Sequence, residues 1–422
     1  MTQNDLIHRQ IVHNFKKVED WFRDNRKNVD VPFYSSYDIR DSGQKIVNVD
    51  ANIYPAGFNN ICPTDREHCA PLIAQYVRRH YGESVKKLLL LTEEHTGNPY
   101  YWDNVAVLKD LITEAGLELK VAIPRLPEPR AMRASASRGE VEVFAAMINN
   151  GHIAIEGYEP QLVVSNNDFS EHYGEWGPTI EGPLNPPREL GWYQRKKSTY
   201  FKHYNRLCKE FAQLIEIDPA TLTVETELFA EFDIAQDESR ARLAERVDHM
   251  IENLRKDYEK RQIKDQPFVF VKNNAGTYGL GVMKVESGAD ILALNYKTRK
   301  KMKAAKGGRD IQEVIIQEGV RSVVRSEGFT AEPTLYLLGC QLAGGFLRSH
   351  AERGDTESLN SPGAVYKKLC VSDLKVSVEG HPLENVYGWV AKLGVLAIGL
   401  ESVEMGVKYN GYTRWTKACD EG

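Results

Sequence analysis

The sequence is short of the features that mark several common protein classes. It has six cysteines in 422 residues, widely spaced and without a C-x-x-C pair, and so reads as a chain of reduced thiols rather than a disulfide framework. Cys62 and Cys69 read as buried apolar thiols. No apolar run approaches the length of a bilayer crossing; LLLL at 88–91 and VLAIGL at 395–400 are core-sized. The first residues, MTQNDLIHRQ, are acidic and polar where a signal peptide has a basic region and an apolar core. A cytoplasmic location with no membrane partner is the expectation. Basic charge is not in excess either: the net charge is −5, which disfavours a nucleic-acid partner. The histidines stand at spacings unlike those of a zinc site. No internal repeat or low-complexity linker is visible.

What is present is alternation. Leu6, Ile11, Phe15, Val18 and Phe22 predict an opening amphipathic helix. IVNVD (46–50), KLLLL (87–91), LELKVAI (117–123) and QLVVSNND (161–168) read as strands, with a helix over 102–115. Strands alternating with helices imply an α/β unit with a largely parallel sheet. Prolines 183, 186 and 187 mark a change. Residues 223–261 then read as charged helix, without proline or glycine, followed by the strands FVFVK, LGVMKV, EVIIQ, TLYLLGC and LAGGFLR. The expected fold class is α/β plus α+β, divided into an N-terminal α/β substrate domain (1–190) and a nucleotide-binding and catalytic region (191–422).

The stretch VKNNAGTYGLGVMKV (271–285) carries the strongest local signal. Two strands flank NNAGTYG, whose small residues expose backbone N–H groups that can wrap phosphate oxygens. Lys272 could add a point charge. No Gly-Lys-Ser/Thr follows and the pattern continues into a strand, which excludes a Walker A loop and a dinucleotide fingerprint. Taken alone, the stretch also fits a structural hairpin. Downstream, DIQEVIIQEGV (310–320) is an apolar strand running into Gln317, Glu318, Gly319 and Val320, whose peptide groups can read an adenine edge. AEPTLYLLGCQLAGGFLRSH (331–350) brings Glu332 and Arg348. ERGDTESLNSPGAVY adds Arg353, Glu357 and Asn360. Carboxylates beside an asparagine are hard oxygen ligands suited to Mg2+, and an arginine can stabilise a transferring phosphoryl group.

In that order these segments resemble the ATP-grasp superfamily: a glycine-rich flap, an adenine hinge at IIQEGV and a catalytic lobe in EPTLYLLGCQLAGGFLR with ESLNSPGA. More narrowly, NVDANIYPAGFNN, TEEHTGNPYYWDN, VVSNNDFS and GWYQRKKSTYFKHY extend the resemblance, over nearly the whole chain, to the proteobacterial ATP-grasp type of glutamate–cysteine ligase. The resemblance implies ATP and Mg2+ as cofactors, glutamate and cysteine as substrates, and γ-glutamylcysteine made through a γ-glutamyl phosphate. Lys272, Asn274, Gly276, Thr277, Gly279 and Gly281 would hold phosphates, Gln317 to Val320 would line adenine, and Arg348, with Lys272 and Arg353, would face the reacting group. Glu332, Glu357 and Asn360 are the metal candidates. Glu357 and Asn360 are three apart, however, where the family has Glu-x-Asn, so Glu401 or Glu404 stay open as ligands.

Glutamate needs basic and amide groups at one end of its pocket and an acid at the other. Asp38 and Arg40 in SSYDIRD, Asn59 and Asn60 in YPAGFNN, His95, and Arg195 and Lys196 of the basic cluster are the candidates. An ordinary ion pair at 38–40 and a solvated face at 195–197 are the plain alternatives. Another carboxylate–amine ligase of glutathione synthetase type, a small-molecule kinase or a non-catalytic binding module would share the nucleotide features. Oligomeric state is not readable.

Overall fold

The computed structural model describes residues 2–94, 98–126, 128, 130–133, 139–176, 180–276, 281–303, 311–370, 375–378 and 381–414. His95, Thr277 and Gly279 lie outside the described residues. The opening segment folds as two helices, Gln3–His13 and Phe15–Arg26, because Asn14 ends the first and begins the second.

The molecule is organised by an antiparallel sheet in the order Val365–Leu369, Gln341–Ser349, Phe329–Leu338, Tyr34–Asp41, Ile46–Asn52. The N-terminal strand Tyr34–Asp41 pairs directly with Phe329–Leu338, nearly 300 residues later: Asp38 is opposite Thr334 and Ser36 opposite Tyr336. The expected division at residue 190 therefore does not follow the strand pairing. The main apolar core likewise runs from Ile7 to Tyr409.

Beside this sheet, Leu184–Asn185, Leu162–Ser165, Lys87–Leu91, Glu118–Ile123 and Glu140–Ala145 run parallel, with Arg130–Arg133 antiparallel at the edge. Leu88 to Leu91 are all buried, which is why KLLLL is a continuous apolar run without alternation. Helix Pro99–Glu114 starts where Asn98 accepts from the N–H groups of Tyr100 and Tyr101, with proline at its first position.

A second, smaller core is local to residues 229–316. Thr226–Phe229, Val314–Glu318, Val269–Asn273 and Val282–Val285 form an antiparallel sheet. Val269, Val271, Val314 and Ile316 meet Leu243, Val247 and Ile251 of helix Asp237–Lys260. The expected helix over 223–261 is thus shorter. Phe229, Phe232 and Ile234 are drawn into this core, and the preceding segment pairs as a strand instead.

Helix Val386–Glu404 is long and apolar enough by composition to cross a membrane, yet most of it is buried inside the protein, against helix Lys197–Leu214 and the central sheet. Glu401, left open above as a metal ligand, lies in its last turn. It accepts from Arg195, whose Nε is 3.0 Å from both carboxylate oxygens, while Arg195 Nη1 donates to Ala51 O at 3.0 Å. The guanidinium also lies over the Trp192 and Tyr200 rings. Arg195 is therefore a buried strut, not the substrate residue expected, because its donors are engaged inside the core. Burial pushes Glu401 up in pKa, and Arg195 opposes the shift. Glu404 bonds Lys202 at the surface.

Cys62 and Cys370 are joined as a disulfide across 308 residues, against the expectation of free thiols. Sequence spacing offers no hint of it: Cys62 precedes helix Pro63–Tyr81 and Cys370 follows strand Val365–Leu369, and only the fold makes them neighbours. Cys69 is a buried thiol, as read, and burial pushes it up to about 12; Cys208 is a second buried thiol. Removing one member of a buried ion pair strands the other charge. Arg195→Ala should lower stability by about 3–5 kcal/mol, read as a lower unfolding midpoint in urea; an unchanged midpoint would contradict the strut role.

Candidate active site

The period-two alternation of the central strands puts one set of side chains on a single face. Cross-strand register then orders them into rows. One row reads Asp50, Asp38, Thr334, Phe346; the next reads Glu332, Arg348, Tyr366; a third reads Asn52, Ser36, Tyr336. Sequence-distant groups become lateral neighbours in this way.

Ion pairs join the first two rows. Arg348 Nη1 donates to Asp38 Oδ2 and to Glu332 Oε1, both at 2.8 Å. Arg40 Nε meets Glu332 Oε2 at 2.7 Å. Thr334 Oγ1 donates to Asp38 Oδ1 at 3.1 Å. Burial raises the Asp38 pKa against the pull of Arg348, and Asp38 and Glu332 together hold the proton on Arg348 despite its burial. Arg348 Nε is buried without a partner, leaving one donor uncommitted. Arg40 has no such reserve: its Nη1 and Nη2 donate to the carbonyls of Asp355 and Glu357 at 3.2 and 2.8 Å, pinning that loop.

The smaller lobe closes over this face. Lys272 Nζ donates to Gln317 Oε1 at 2.6 Å and to Val49 O at 3.0 Å. Burial lowers its pKa to about 8, with Asp50 opposing and Lys197 adding to the shift. Lys197 pairs with Asp50. Burial would raise the Asp50 carboxyl, but Lys197 and Lys272 together hold it below the usual range. Glu318 is fully engaged with Lys45 Nζ at 2.6 Å, Tyr258 Oη at 3.2 Å and Glu225 N at 3.1 Å. Gly319 donates its N–H to Phe268 O at 2.8 Å, and a Cβ there would lie 2.2 Å from the Phe268 ring. Gln317 spends its side chain on Lys272 and Thr226. Val320, in contrast, makes no hydrogen bond to any described residue through its peptide groups. Gly276 and Gly281 have φ of +112° and +67°, the left-handed region that favours glycine. Asn274 accepts from Lys197 N and Ser198 N and so ties the loop to helix Lys197–Leu214.

Two spaces meet here. A narrow cleft between the sheets is lined by Asp38, Arg40, Asp50, Lys272, Val320 and Glu332, with Gly276, Glu318 and Asn360 also on its wall. A cavity of about 710 Å³ adjoins it and shares Asp38, Asp50 and Asn360. Arg348, Asn59 and Asn60 face this larger space, together with Asn52, Glu93, Asp168, Tyr336, Phe346 and Tyr366. Lys196 does not join them: it pairs with Glu313 at 2.6 Å and lines a neighbouring cavity of about 830 Å³. Arg353 and Glu357 pair with each other at 2.8 Å at the surface, so neither side chain is brought to the cleft. Asp50, Lys197, Asn52 and the aromatic residues were not singled out as site residues by sequence reasoning. The alternation in VNVDAN was the available signal.

A glutamate–cysteine ligase family model matches residues 8–402. The chain belongs to that family. A protein of Methylobacillus flagellatus described as a gamma-glutamylcysteine synthetase is 31% identical, with a TM-score of 0.82 over 95% of this chain and 96% of that one. The architecture is accordingly the ATP-grasp type, and the family is one of ATP-dependent carboxylate–amine ligases. D-alanyl-alanine synthetase A of Vibrio cholerae (12% identity, TM-score 0.31, 77% of this chain and 82% of that) and D-alanine–D-alanine ligase of Helicobacter pylori (11%, 0.24, 74% and 99%) score too low to carry an argument. No curated protein matches.

The oxygen donors of Asp38, Asp50, Glu332 and Asn360 on the cleft wall suit a hard divalent cation. They are not drawn into one tight cluster. Among the described residues the one close group of ligand-type side chains is Cys62, Asp65 and Cys370, and its two sulfurs are bonded to each other. Mg2+ keeps waters and takes one or two carboxylates alongside substrate phosphates, so a spread set fits it.

Lys272 attracts phosphates only when protonated, and its pKa sits near 8 in the free protein. Nucleotide affinity should therefore fall as pH rises through about 8, and Lys272→Met should bind about 10–100-fold more weakly with the pH dependence flattened. Because this pKa lies below that of the unfolded chain, deprotonation above 8 adds stability as pH rises towards 10. Titration calorimetry with ADP from pH 6.5 to 9.5 checks the binding.

Proposed function

We propose that this chain forms γ-glutamylcysteine from glutamate, cysteine and ATP, by way of a γ-glutamyl phosphate. The observation that carries the reading is the shared wall. Asp38, Asp50 and Asn360 border both the narrow cleft and the 710 Å³ cavity, so a phosphate in one space and a carboxylate in the other would meet beside Arg348.

Val320 and Val49 offer apolar surface for adenine in the cleft, and the Val320 peptide groups are available to its edge. Lys272 and the N–H groups around Gly276 would hold the phosphates. Glu332 and Asn360, with Asp38 or Asp50, would hold Mg2+, which when bound neutralises phosphate charge. Arg348 keeps two donors fixed on Asp38 and Glu332 and lines the larger cavity, where its positive charge would stand beside the oxygens that gain charge as the phosphoryl group moves. Asn59 and Asn60 supply amides to amino-acid carboxylates, and Glu93 and Asp168 answer ammonium groups. Glutamate and cysteine are the small-molecule partners, and the cytoplasm is the compartment that supplies them with ATP. There the Cys62–Cys370 pair would meet reducing thiols.

With ATP, Mg2+, glutamate and cysteine, mass analysis should find ADP and dipeptide in equal amounts. ADP formed without dipeptide, or without glutamate dependence, would overturn the reading. Arg348→Ala should lower kcat by about 10²–10³-fold while circular dichroism stays unchanged.

A further inference from the structure

The 710 Å³ cavity is lined by both polar and aromatic groups. Asp50, Asn52, Asn59, Glu93 and Asp168 are among the polar ones, and Tyr336, Phe346 and Tyr366 join Tyr54, Tyr100, Tyr101 and Trp192 among the aromatic ones. The rings nearest Arg348 need a separate explanation, because glutamate has little apolar surface to place against them.

Register fixes these rings next to the reacting end of the cavity. Tyr366 is directly opposite Arg348, and Phe346 is two residues before Arg348 on the same face. The rings form a continuous wall: Tyr336 and Phe346 have centroids 5.7 Å apart, and Phe346 and Tyr366 meet edge-on at 5.3 Å. Tyr336 and Phe346 are buried, whereas Tyr366 stays 46% exposed on the outermost strand. The turn bearing Asn59 and Asn60 presses on the same wall. A Cβ on Gly57 would stand 2.3 Å from Tyr336 Oη and 3.2 Å from Phe346. Amides and rings are thus held together within reach of Arg348.

We propose that this aromatic wall is the subsite for the thiol side chain of the acceptor amino acid, an assignment that rests on the ligase reading above. The acceptor amine must attack the activated γ-carboxyl group, so the acceptor has to lie beside Arg348, and the wall is the apolar surface there. A thiol is a weak hydrogen-bonding group that gains from contact with ring edges. The wall therefore supplies sulfur contacts that a methyl group does not repeat. Glutamate is left to the polar groups.

The test uses Phe346→Leu and Tyr366→Leu in the full chain, with cysteine and 2-aminobutyrate, which carries methyl in place of thiol, as acceptors. Each variant should lower kcat/KM for cysteine about threefold to tenfold and shrink the preference for cysteine over 2-aminobutyrate by the same factor. KM for glutamate and for ATP should not move. A rise in KM for glutamate with cysteine unaffected would overturn the assignment, and so would an equal loss for both acceptors. Tyr366 is half exposed, so its variant keeps the test open if Phe346→Leu does not fold. Wild-type ADP release that ignores glutamate would instead count against the ligase reading itself.

Discussion

Arg348 held between Asp38 and Glu332 is the interaction on which the rest of the site depends. The network draws on strands from both ends of the chain, so it exists only once the central sheet has closed. Buried ion pairs are costly to desolvate and add little net stability. Four charges, Arg40 included, on one sheet face are therefore better explained by chemistry than by folding. Their arrangement is fixed before any substrate arrives, which is the condition under which charge stabilises a transition state effectively.

The smaller lobe has its own core but is tied to this face at a few points. Lys45 bonds Glu318, Lys272 reaches Val49, and Lys197 donates its backbone N–H to Asn274. Each joint lies at the edge of the narrow cleft. A ligand there would bear on the same contacts that hold the lobe, and its binding would be coupled to the spacing between the two sheets.

Part of the candidate site was legible in the sequence, and the remainder was hidden for identifiable reasons. The order of glycine-rich loop, Gln-Glu-Gly exit and Arg348 strand could be read because each piece is local. Alternation in SSYDIRD and EPTLY also marks which residues share a face. Register cannot be read that way, so the neighbours Asp50 and Tyr366 were missed. In the RKK run, Arg195 turns into the core and Lys197 to the cleft; the helix begins only at Lys197, so no periodicity assigns Arg195. Glu357 does take part, but through its carbonyl to Arg40, a role that side-chain chemistry does not announce. The Cys62–Cys370 bond joins positions that only the fold makes adjacent.

The most direct measurement follows oxygen from glutamate labelled with 18O in its γ-carboxylate. Activation as an acyl phosphate beside Arg348 requires one labelled oxygen to leave with inorganic phosphate in each turnover. Phosphate carrying one 18O per dipeptide formed is the predicted result. Unlabelled phosphate, with the lost 18O found in water or in the nucleotide instead, would contradict the account.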